Sequence, residues 1–153
     1  MPTIPAQRDQ IWFRSTFFEV EPGEDSETNP RCYGRALARW LASALPKDGL
    51  PVAEVFPEDW GWCVMVKAAP FRLWVGCGNV DDLATQTLVK ASSHRQPLVW
   101  TCIVAAEVPV WRRLFGAPDT TGDVRQLVDC VRRTIASAPN TTLMQGPEGP
   151  LPA

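Results

Sequence analysis

The order of apolar segments predicts an α+β fold: a mostly antiparallel sheet of four to six strands with two helices packed on one face. Three observations carry that expectation. The segments run β-α-β-β-β-β-α, so crossover helices do not alternate with strands as a parallel sheet requires. Each of the two helical segments shows one apolar stripe, the pattern of a helix that covers a sheet from one side. Two apolar runs, at 62–67 and 71–77, meet across a break ending in Pro70 and read as a β-hairpin.

Each element has its own signal. Residues 1–10 read as a loose arm, and the aromatic and β-branched stretch Ile11–Val20 as the first strand. Glu21–Asn29 is an acidic loop holding Pro22 and Gly23. Thr28 or Asn29 is a candidate cap, with Pro30 in the first turn, for a helix over 31–45. Tyr33, Leu37, Trp40, Leu41 and Ala44 share one face of that helix, and Pro46-Lys47-Asp48-Gly49 stops it. Val52–Phe56 is a short strand, the hairpin follows, and Gly76-Cys77-Gly78-Asn79 reads as its closing turn. Residues 79–96 are polar and weakly periodic, with at most an irregular strand near 85–89. Leu98–Glu107 is apolar or small on both faces, which places it near the sheet centre. Pro109–Phe115 reads as a short helical turn carrying Trp111. Asp119, Thr120 or Thr121 can cap a last helix over 123–138, striped by Val124, Leu127, Val128, Val131 and Ile135. The expected organisation is a single domain over 1–138 and a Pro/Gly-rich extended tail over 139–153.

Composition bounds the function. The chain has 153 residues, enough to bury a core, and a net charge of -2. That balance gives no electrostatic footprint for nucleic acid. No apolar run is long enough to span a bilayer, so no membrane partner is expected. The five cysteines, Cys32, Cys63, Cys77, Cys102 and Cys130, are odd in number, widely spaced and set in apolar stretches. They read as reduced core thiols of a cytoplasmic protein, with neither a zinc site nor a redox pair, and no cofactor is expected.

Several residue sets invite a chemical reading. Trp40, Trp74 and Trp100 fall on predicted core faces, whereas Trp60, Trp62 and Trp111 sit at strand ends or in loops, where a ring can contact a partner. Glu58 and Asp59 stand beside Trp60, the one apolar neighbour able to split the pKa values of paired carboxylates. Asp81 and Asp82 are read at the other end of the hairpin. Glu19, Glu21, Glu24, Asp25 and Glu27 place five carboxylates within residues 19–27, without the alternating oxygen spacing of a calcium loop. A solvated face, a helix-start cap or a docking surface for a basic partner each fits them. His94, the single histidine, lies in a polar loop; a pairing with Cys77 is conceivable only by elimination. Gly76-Cys77-Gly78 lacks the lysine and helix start of a phosphate loop.

Pro57-Glu58-Asp59-Trp60-Gly61-Trp62 and Trp74-Val75-Gly76-Cys77-Gly78-Asn79 are the most distinctive stretches. With Glu21–Pro30, Tyr33-Gly34 and Leu37–Leu41, they make residues 19–79 resemble a family of small bacterial proteins of unassigned function. In size, acidity and tryptophan content the chain is similar to immunity proteins that neutralise toxins. The expected function is a non-enzymatic protein-binding module, immunity- or adaptor-like, docking a basic partner through Glu21, Glu24, Asp25, Glu27, Trp60, Trp62 and Trp111. The alternative is a small enzyme or small-molecule binder with a pocket formed by Glu58, Asp59, Trp60, Trp62 and Trp74.

Overall fold

The computed structural model describes residues 3–80 and 97–146, with side chains from Arg8 onward. The sheet is six-stranded and wholly antiparallel, in the order β2-β3-β4-β5-β1-β6. Its strands are β1 (Thr3–Ser15), β2 (Glu54–Glu58), β3 (Gly61–Lys67), β4 (Arg72–Asn79), β5 (Leu98–Pro109) and β6 (Thr141–Met144). Helix α1 (Arg35–Ala44) and helix α3 (Thr121–Ala136) both pack on one face, and a single short turn of helix, α2 (Val110–Leu114), follows β5. The α+β architecture and the one-sided helices agree with the sequence pattern.

Pleating builds the core. Trp62, Val64 and Val66 of β3, Leu73, Val75 and Cys77 of β4, and Trp100, Cys102 and Val104 of β5 face the helices with Ile11 and Phe13 of β1. Leu37 and Leu41 of α1 and Leu127, Val131 and Ile135 of α3 close over them, all without exposed surface. β5 lies between β4 and β1, the interior position its two apolar faces call for.

Several boundaries differ from the sequence expectation, among them the start of α1, which is Arg35 rather than Arg31 and leaves Tyr33 ahead of the helix. The arm at 1–10 is instead the first half of β1, because Thr3–Gln10 finds a long-range partner in the second half of β5. A register shift between Pro5 and Gln7 accommodates the proline. At its other end β1 stops at Ser15 rather than Val20. The Ser15 hydroxyl accepts the Phe17 N–H at 3.0 Å and turns the chain out of the sheet. Phe17 and Phe18 then meet Trp40 edge-on, at 5.9 and 5.2 Å between ring centroids. Gly76–Asn79 continues β4 rather than turning, since Gly76, Cys77, Gly78 and Asn79 pair with Ile103, Cys102, Thr101 and Trp100. The tail beyond 138 contains β6, which pairs Thr141–Met144 with Ser15–Trp12. His94, Asp81, Asp82 and the 85–89 stretch lie outside the described residues.

Candidate functional site

The distinctive sequence stretches converge at one end of β3 and β4. α1 carries no side-chain N-cap of its own, and Thr28 and Asn29 stand too far upstream to supply one. The cap comes from the acidic loop. The Glu24 carboxylate has no exposed surface and accepts the Gly34 N–H at 2.6 Å and the Arg35 N–H at 3.1 Å on one oxygen. Its second oxygen accepts the Glu21 N–H at 2.7 Å. A buried carboxylate at the positive helix start is stabilised by charge-assisted hydrogen bonds and by the helix dipole together. Asp25 accepts the Arg31 N–H at 3.0 Å, which helps hold Arg31 at a positive φ of 69°. Arg35 then reaches back to Glu21 at 2.7 Å and Glu27 at 2.9 Å, with its guanidinium 5.4 Å from the Trp62 ring centroid.

The strand end is the platform on which this loop rests. Asn79 accepts the Tyr33 N–H at 2.9 Å and donates to the Arg31 carbonyl at 3.2 Å. The Asp59 carbonyl accepts the Asn29 N–H at 2.9 Å. Gly34, at φ 147°, approaches the Cys77 carbonyl so closely that a Cβ would stand 2.6 Å from its oxygen. Gly61, at φ 151°, packs on the same carbonyl. Both positions need glycine for conformation and for clearance.

Pleating separates the tryptophans that the sequence grouped. Trp62 is buried on the helix side of β3, and its indole N–H has no acceptor among the described residues. Trp74 projects from the opposite face. Trp60, in the β2–β3 turn, folds across that face at Gly76 and stacks on Trp74, with centroids 5.6 Å apart and planes 26° from parallel. The pocket set Glu58, Asp59, Trp60, Trp62 and Trp74 is therefore not one lining. Trp62 belongs to the core, Trp60 occupies the space over Trp74, and Glu58 and Asp59 are exposed.

The partner set divides as well. Glu24 is spent on backbone N–H groups, and Glu21 and Glu27 are paired with Arg35. Trp111 sits beyond the far end of β5, because β5 starts beside Ser15 at the Trp60 end and reaches Pro109 at the other. A strand of that length separates the two ends by about 35 Å. Trp62 pairs with Cys77, so Asp59 and the end of β4 lie at the same end of the hairpin.

All five cysteines are free thiols. Burial pushes the Cys63 thiol up to about 12, with the nearby Glu58 carboxylate adding to the shift. Burial, and then a thiol hydrogen bond with Cys102 across the strands, holds Cys77 well above the ordinary thiol range. A thiol so placed is not a nucleophile at neutral pH. Among the described residues no His/Cys/Asp/Glu group is arranged to hold a metal ion, and no helix is long and apolar enough to cross a membrane. Searches against protein-family models, curated proteins and solved structures gave no match.

Proposed function

We propose that the chain is a non-enzymatic protein-binding module, immunity- or adaptor-like, that docks a basic partner at the Trp60 end of the sheet. The observation that supports this reading is Trp60 itself. It is 42% exposed yet stacked on Trp74 and carried by a turn that is hydrogen-bonded to the acidic loop. An aromatic ring fixed in place while still open to solvent loses little entropy on binding, which is the property of an interface anchor. Glu58 and Asp59, both exposed, precede it and supply negative charge at its rim. The acidic loop contributes indirectly, by fixing the turn rather than by presenting all its carboxylates.

The test compares affinity capture from the source cell by wild type, Trp60→Ala, and the double variant Glu58→Gln/Asp59→Asn, followed by association kinetics with the captured protein. Trp60→Ala is expected to weaken binding by about 2 kcal/mol, roughly thirtyfold. The charge variant is expected to slow association, by up to about tenfold at low salt and less at high salt. A captured partner that is acidic, or that binds all three proteins equally, would contradict the reading.

A further inference from the structure

The other end of the sheet carries a second, independent surface. α2 buries none of its five residues. Trp111, Leu114 and Phe115, spaced i, i+3 and i+4, form a stripe on the outside of the turn, 47%, 78% and 84% exposed. These are the three most exposed large apolar side chains among the described residues. Arg112, half-buried, lies against the Trp111 ring at 4.8 Å, and no carboxylate occurs in the sequence between Glu107 and Asp119. Gly116, at φ 94°, carries the chain away from the tip.

We propose that α2 is a docking tip for an anionic lipid surface. The stripe projects rather than lining a groove. A protein partner would need a concavity matched to a stripe whose Leu114 and Phe115 stand almost clear of their own domain, whereas a bilayer interface yields around any shape. Apolar side chains enter the acyl boundary, tryptophan prefers the headgroup level, and arginine meets anionic headgroups while its stem stays in apolar surroundings. Such a contact needs no spanning segment, so the absence of a long apolar run has no bearing on it. One short turn with the Arg112 guanidinium beside its apolar stripe gives weak, reversible attachment that depends on lipid charge.

The experiment is vesicle flotation with the full chain. Vesicles of phosphatidylcholine alone are compared with phosphatidylcholine vesicles containing phosphatidylglycerol, for wild type, Leu114→Ser/Phe115→Ser and Arg112→Gln. Wild type is expected to partition onto the phosphatidylglycerol vesicles at least about tenfold better than onto the neutral ones. The double variant should lose at least about tenfold of that partitioning with its melting midpoint unchanged, because both side chains are already in water in the fold. Arg112→Gln should narrow the preference for anionic lipid. The proposal is overturned by a wild type that ignores both vesicles or binds them equally, or by a double variant that still floats. It is overturned too if the double variant abolishes self-association, or the binding of an acidic protein, while lipid binding is absent.

Discussion

Glu24 faces no water, and its two oxygens go entirely to backbone N–H groups. Removing the carboxylate leaves the buried Gly34 N–H and the partly buried Glu21 and Arg35 N–H groups without that partner, and an unsatisfied buried donor costs more than a net hydrogen bond gains. Glu24→Ala is therefore expected to lose about 3–5 kcal/mol in a denaturant melt, and Glu24→Gln, which keeps one acceptor, about half of that. A loss below about 1 kcal/mol with alanine would mean that water reaches those N–H groups. The cysteines make the opposite point, because their environment suppresses chemistry rather than using it. Cys63 is held up to about 12 from an ordinary 9.0. The folded state thus keeps a proton that the unfolded chain gives up above pH 9, so this group favours folding fully below pH 9. That contribution falls as pH rises between 9 and about 12. Cys77 and Cys130 are shifted in the same direction, chiefly by burial. Stability is expected to decline through that alkaline window, and less steeply in Cys63→Ala. Alkylation at neutral pH should label Cys32, the one cysteine that is not buried, well before the others.

The end of β4 is where elements are locked together, and its glycines do two different jobs. At Gly34 a Cβ would meet the Cys77 carbonyl oxygen at 2.6 Å, a backbone atom fixed in the sheet. At Gly76 it would meet the far edge of the Trp60 ring at 2.7 Å, and a ring at the end of a side chain can move. Gly34→Ala is therefore expected to cost more than about 3 kcal/mol, combining a clash with a disfavoured φ. Gly76→Ala should cost roughly 1 kcal/mol while displacing Trp60 from Trp74. Near-ultraviolet circular dichroism, which reads the coupling of stacked indoles, separates the two: its loss with little change in the melt marks the Gly76 variant. Equal destabilisation by both would show that Trp60 cannot swing away. In place of the glycine-rich turn expected at 76–79 the strand runs on, for a physical reason: Gly76 clears room for the Trp60 ring and Gly78 for the Trp60 carbonyl of the β2–β3 turn, and neither turns the chain.

Across the whole molecule, periodicity fixed what local physics controls. The stripes of α1 and α3, the hairpin and the doubly apolar β5 were legible because each signal lies within its own segment. What could not be read locally depended on distant partners. Thr3–Gln10 is a strand because β5 is there, and the cap of α1 lies ten residues before Gly34 in a loop whose charge suggested solvent. The candidate site was legible in part: Glu58, Asp59 and Trp60 stand together, while Trp62 and Trp111 are carried elsewhere by pleat and strand length. The two helices nevertheless share one continuous core, and Trp100 lies in it, fully buried, with its edge toward Phe18 at 6.5 Å. Phe18 in turn touches Trp40, which is only half-buried. Truncation of Trp100 to alanine is expected to cost about 3–5 kcal/mol, and of Trp40 roughly half as much, because part of the Trp40 ring already faces water. Since both sit in one core, the Trp100→Ala melt should remain a single transition, with far-ultraviolet and near-ultraviolet signals coincident. Two separated transitions would mean that α1 with β2–β4 and α3 with β1, β5 and β6 unfold independently, and that the shared core does not couple them.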